Sequence, residues 1–150
     1  YFDVKQSVLS LRRYIDSQSI ESVLCHIDAV SDNFLFVPDT GEIKLIDWEY
    51  AGMQDPHLDI AMFAVYALYD RSQVDYLIDQ YFPEGCSPII RMKIYCYIAI
   101  CGLLWSNWCE FKRNCGVEFG VYAYRQYDYA KEYSTVFRQE YYKVFGIAYV

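Results

Sequence analysis

Two short apolar runs, Phe34-Leu35-Phe36-Val37 and Ile43-Lys44-Leu45-Ile46, are joined by Pro38-Asp39-Thr40-Gly41-Glu42 and bracketed by Asn33 and Asp47. The joining segment is turn chemistry: Pro pre-sets φ, Asp bonds its own backbone, and Gly accepts a left-handed conformation. Two apolar runs around such a turn predict a β-hairpin, with 34–37 as a buried strand and 43–46 as the return strand. A hairpin brings the residue before its first strand and the residue after its second to one end. Asn33 and Asp47 are therefore predicted to stand together.

Just upstream, His26-x-Asp28-x-x-x-x-Asn33 has the spacing of the protein-kinase catalytic loop. Phosphoryl-transfer chemistry accounts for that spacing. A carboxylate accepts the proton of an attacking hydroxyl, while an amide oxygen a loop-length away holds a metal ion. A second carboxylate on the next hairpin strand, here Asp47, bridges that metal to nucleotide phosphates. Each element alone is weak, because surface carboxylates and turn asparagines are common. Joint spacing and hairpin context make Asp28 the candidate base and Asn33 and Asp47 the candidate ligands. His26 is expected to anchor the loop by packing and hydrogen bonds. Asp59, near a helix start where Asp side chains bind orphan amides, is expected to hold the loop from beneath.

The remainder reads as helix. Apolar residues recur at helical spacing over 3–17, then SQSIES forms a loop and 23–25 a short strand-like run. Helices are predicted from Pro56 to Leu68, over 72–82, over 88–112 and over 117–145. No repeat, low-complexity tract or linker divides residues 1–150, so the chain is read as one domain. The predicted class is α+β, mainly helical, with a small β-hairpin carrying the loop.

A net charge of −7 argues against nucleic acid as a partner, since phosphate backbones need Lys and Arg clusters. The six cysteines show no C-x-x-C pair and no Cys/His metal pattern, and read as reduced thiols of a cytoplasmic protein. The apolar run 94–105 is too short to span a bilayer and is flanked by Arg91, Lys93 and Glu110, so no membrane span is expected. Aromatic residues make up 19% of the chain. They serve either as core or as a cage for a quaternary ammonium, which π faces attract.

The segments CHIDAVSDNFLF and IKLIDWEYAGMQDPHLDIA resemble the choline/ethanolamine kinase family, bacterial choline kinases in particular, which shares a kinase-like fold with the aminoglycoside phosphotransferases. The resemblance implies the C-terminal lobe of that fold, with ATP as co-substrate and Mg2+ as cofactor. It implies Asp28 as base, Asn33 and Asp47 as magnesium ligands, and Glu49 near the metals or the substrate ammonium. It extends to Trp105-Ser-Asn-Trp108 and Glu118-Phe119-Gly120-Val121-Tyr122-Ala123-Tyr124, which match the family's aromatic cage. By that match Trp105, Trp108 and Tyr124 form its walls. Tyr66 or Tyr69 lines the pocket where eukaryotic members carry an acidic residue. The implied reaction is choline to phosphocholine. Aminoglycoside or other small-molecule phosphotransfer, or a non-catalytic kinase-derived module binding a quaternary amine, are the alternatives. No glycine-rich segment or strand lysine precedes residue 24, so the N-terminal ATP-binding lobe is expected to be absent and the 150-residue chain inactive by itself.

Overall fold

The computed structural model describes all of residues 1–150. In chain order the elements are α1 (Phe2–Ser10), α2 (Arg12–Asp16), β1 (Val23–Cys25), β2 (Phe34–Val37), β3 (Glu42–Leu45), β4 (Gly52–Gln54), α3 (His57–Tyr66), α4 (Arg71–Tyr81), α5 (Pro88–Asn114) and α6 (Val121–Phe145). Two separate two-stranded antiparallel ladders, β2–β3 and β1–β4, sit on a helical body.

Local chemistry explains where the helices begin and end. Asp70 caps α4 in a reciprocal box with Gln73. Ser87 accepts the amide of Ile90 ahead of Pro88, whose fixed φ suits a first helical position. Gly146 closes α6 in the left-handed conformation, donating its amide to Tyr142.

The core lies between α5, α6 and α3. Tyr129, Tyr133 and Phe137 of α6 are fully buried against α5 residues such as Tyr95 and Ile98, and burying each such side chain is worth about 1.5–3 kcal/mol. The two long helices approach closely at Gly102. A Cβ there would stand 2.7 Å from both the Gln126 carbonyl oxygen and the Tyr129 Cβ. By length and composition α5 is apolar enough to cross a membrane, a property the shorter run 94–105 had hidden, but more than half of its apolar stretch is buried inside the protein. It is packed here as a core helix.

Four expectations need correction. The single helix over 3–17 breaks at Leu11 into α1 and α2. The last helix starts at Val121 rather than Val117, because Gly116 and Gly120 both take positive φ and turn the chain first. The strand β4 was not foreseen: it pairs Gly52-Met53-Gln54 with β1, and carries no apolar alternation to announce it. Finally, β2 is not buried. Leu35 and Phe36 remain exposed, as does Ile43 opposite Phe36, because no other element packs over that part of the hairpin.

Candidate active site

The loop between β1 and β2 is held from α3. The Asp59 carboxylate, in the first turn of α3, accepts the backbone amides of His26 at 2.9 Å and Ile27 at 2.8 Å. Ile27 has φ of 71°, a left-handed conformation that a β-branched residue rarely adopts. Such strain persists only where surrounding contacts enforce it, and the two bonds from Asp59 do so. From the other side, the buried His26 ring reaches the Ile46 carbonyl at 2.8 Å through Nε2. Its edge meets Trp48, with centroids 4.7 Å apart. The indole of Trp48 in turn donates to the Leu45 carbonyl at 2.9 Å.

The hairpin brings Asn33 and Asp47 to one end. Phe34 pairs with Leu45, and the Ile46 amide donates to the Asn33 carbonyl at 3.0 Å. Buried Asn33 turns its Nδ2 back to the Asp28 carbonyl at 2.9 Å, with the Asp28 carboxylate a longer 3.4 Å away. This commits the amide nitrogen to the loop and leaves Oδ1 as the acceptor free to face outward. Asp47 takes φ of 63°, a conformation Asp tolerates better than most residues. Asp47 and Glu49 are both exposed.

Asp28 meets α3 as well. The Tyr66 hydroxyl donates to Asp28 Oδ1 at 2.7 Å. Burial first, and then this hydrogen bond to a carboxylate, push the Tyr66 phenol well above its ordinary pKa, so it keeps its proton. Its ring opens an aromatic row: Tyr66 to Trp105 at 5.2 Å, Trp105 to Trp108 at 5.0 Å, and Trp108 to Phe119 at 5.1 Å between centroids. Trp105 and Trp108 lie three apart on α5 and so share a face.

Tyr124 stands outside this row, 72% exposed. Beside Tyr66 the structure places Tyr122 instead, in the wall of a mostly apolar cavity of about 610 Å³ that also touches Ala29, Phe34 and Phe63. Burial first, then the neighbouring acidic groups of Cys109, Tyr129 and Asp28, push its phenol up to about 12. Helical periodicity carries the signal that distinguishes the two. Tyr122 lies on the stripe with Gln126, Tyr129 and Tyr133, whereas Tyr124 is two residues, about 200°, round the helix from it.

The donor set suits a magnesium ion. Asn33 Oδ1 and the Asp47 carboxylate are hard oxygen donors, of the kind Mg2+ takes in ones and twos while keeping water and phosphate oxygens. No group of three His, Cys, Asp or Glu side chains converges to cage a metal. An ion here would depend on phosphate for the rest of its shell. The arrangement thus combines a carboxylate held closely through one oxygen and loosely through the other, two oxygen donors at a hairpin end, and aromatic faces within one side chain of the carboxylate.

Residues 2–82 match the family model for choline/ethanolamine kinase. Protein LicA of Haemophilus influenzae is 32% identical over 114 residues, covering 71% of this chain and 41% of that protein. The solved structure of choline kinase LicA from Streptococcus pneumoniae superposes with a TM-score of 0.73 at 29% identity, covering 91% of this chain and 48% of that one. A structure of LicA in complex with AMP gives a TM-score of 0.74 at 28% identity, over 91% of this chain and 47% of that one. The chain therefore spans less than half the length of these relatives and carries the mainly helical lobe of their kinase-like fold. With the matched segment holding the Asp28 loop, the Asn33–Asp47 hairpin end and Asp59 beneath them, this chain belongs to the choline/ethanolamine kinase family.

Proposed function

We propose that these residues are the base-and-metal half of a kinase that transfers the γ-phosphoryl group of ATP to the hydroxyl of a small amino alcohol, choline foremost. The observation that carries this reading is the aromatic row that starts at the base: Tyr66 bonded to Asp28, then Trp105 and Trp108. A trimethylammonium donates no hydrogen bond, so π faces are its natural partner. A molecule with an ammonium at one end and a hydroxyl at the other fits between such faces and a carboxylate. An aminoglycoside, with several amines to satisfy, would call for carboxylates where this row has rings.

In the proposed reaction Asp28 receives the acceptor's hydroxyl proton as the new O–P bond forms. The bond to ADP breaks, and the departing β-phosphate oxygen takes the electron pair. Asn33 and Asp47 would hold Mg2+, which supplies charge neutralisation on the phosphate oxygens. Exposed Glu49 is available to balance the ammonium. The grip on the nucleotide phosphates is proposed to come from sequence outside these 150 residues, in keeping with relatives of which the chain spans less than half. The 150-residue chain alone should then turn over nothing. A kinase drawing on ATP, with six free thiols, suits the reducing cytoplasm.

Coupled-enzyme ADP release by the full-length protein, compared for choline, ethanolamine and kanamycin, tests the reading. Stimulation by choline or ethanolamine supports it. Stimulation by kanamycin alone replaces it with an aminoglycoside phosphotransferase, and stimulation by none of the three removes it.

A further inference from the structure

We propose that Tyr66 is the positioning residue for the base: its hydroxyl fixes Asp28 Oδ1, so that Oδ2, touched only by the long Asn33 contact, is the oxygen left to take the acceptor's proton, while its ring forms the first wall of the amine site. The inference rests on the phosphoryl-transfer reading above and adds to it a residue that joins base to substrate pocket.

An aspartate on a loop can turn about its side-chain bonds, and proton transfer needs one oxygen aimed at one hydroxyl. Asp28 has a single short side-chain hydrogen bond, the 2.7 Å contact from Tyr66; the Asn33 amide is a longer 3.4 Å from Oδ2. Tyr66 is itself held. It ends α3, and α6 binds the backbone carbonyls on either side of it: Gln126 Nε2 donates to Val65 at 2.8 Å, and the Tyr129 hydroxyl donates to Tyr69 at 2.6 Å. The ring packs on Trp105. One rigid side chain therefore reads the aromatic wall on one end and sets the carboxylate on the other. During transfer Tyr66 keeps its own proton, and the acceptor's proton goes to Oδ2.

The experiment compares wild type, Tyr66→Phe and Tyr66→Ala in the full-length protein, by ADP release with choline varied and by thermal melting. Tyr66→Phe keeps the ring and loses the hydroxyl. It should lower kcat about 10- to 100-fold, the usual cost of a misplaced catalytic group, with KM for choline within about twofold of wild type, since ground-state binding is untouched. Tyr66→Ala should lower kcat similarly and raise KM as well, because the wall is gone. A purely structural role would lower the melting temperature without this split. An active wild type whose Tyr66→Phe variant keeps kcat within about twofold overturns the assignment of Tyr66 alone. A rise in KM with kcat unchanged in that variant does the same, leaving Tyr66 as wall only. A wild type that phosphorylates no amino alcohol overturns the underlying reading and this inference with it.

Discussion

The carboxylate of Asp59 receives the amide of Ile27 at 2.8 Å, across 32 residues of sequence, where Ile27 is held at a φ of 71°. The first turn of α3 thereby fixes the backbone one residue before the candidate base. Replacing Asp59 by Ala orphans two part-buried amides and releases the strained residue. Each unsatisfied amide costs about 1–3 kcal/mol, so urea unfolding should show a loss of about 2–4 kcal/mol. Asp59→Asn, which retains one acceptor oxygen, should lose less. Equal stability of Asp59→Ala and wild type would contradict the role of this contact.

Lys93 and Asp55 form a buried pair, Nζ to Oδ2 at 2.6 Å, joined by the Tyr97 hydroxyl at 3.2 Å. Asp55 also accepts the His57 amide at 3.0 Å, so the pair ties the start of α3 to α5. Lys93→Met leaves a buried carboxylate without its counter-ion, a change that costs about 3–5 kcal/mol. Adding Asp55→Asn should recover part of that loss in the same unfolding assay. A single variant as stable as wild type would show that the pair is dispensable.

Stability should fall as pH drops from 7 to 5. Burial, and then the Lys93 charge, hold His57 below its ordinary pKa, Asp55 pulling the other way. The unfolded chain regains protonation near the usual histidine value of about 6.5 and so binds more protons than the folded one below it. Asp55 adds a second loss at lower pH. Burial raises its pKa, but the Lys93 and His57 contacts outweigh that and hold it below the carboxylate range. Its contribution is present above the unfolded value of about 3.9 and is lost as pH falls through the lower folded one. Urea midpoints at pH 7 and 5 should differ for wild type and converge for His57→Gln. A midpoint that is flat or rises over that interval contradicts this assignment.

Trp105 and Trp108 should not be equivalent. Trp105 is half-buried against Tyr66, whereas Trp108 is 38% exposed and leans on Phe119. In the full-length protein Trp105→Ala should raise KM for choline more than Trp108→Ala, each with a smaller change in kcat. The cation–π contribution to a desolvated ammonium, about 2 kcal/mol, corresponds to about 30-fold in affinity. Unchanged KM in both variants would dismiss the aromatic row as the amine site.

Much of the site's geometry was legible in the sequence because it depends on short-range rules. Turn chemistry at 38–42 fixes the hairpin, and the hairpin brings Asn33 to Asp47 whatever surrounds it. Contacts set by packing were not legible. The hydroxyl of Tyr66 meets Asp28 across 38 residues, and no local pattern reports which way a residue at the end of α3 points. Lys93 read as a charge flanking an apolar run, yet it is buried opposite Asp55. The exposure of β2 was hidden for the same reason, since an apolar strand carries no mark of what covers it. Tyr122 was recoverable: continuing the buried stripe of α6 backwards from Tyr133 reaches it, once the helix start is moved past Gly120.

Asp28 carries the central claim, and the direct measurement is phosphoryl transfer by the full-length Asp28→Ala protein beside wild type, with choline binding followed in parallel by calorimetry. Loss of general-base catalysis should cut turnover by about 100- to 10,000-fold, with choline affinity largely retained because the aromatic row is intact. Turnover surviving within about tenfold of wild type would show that Asp28 is not the base.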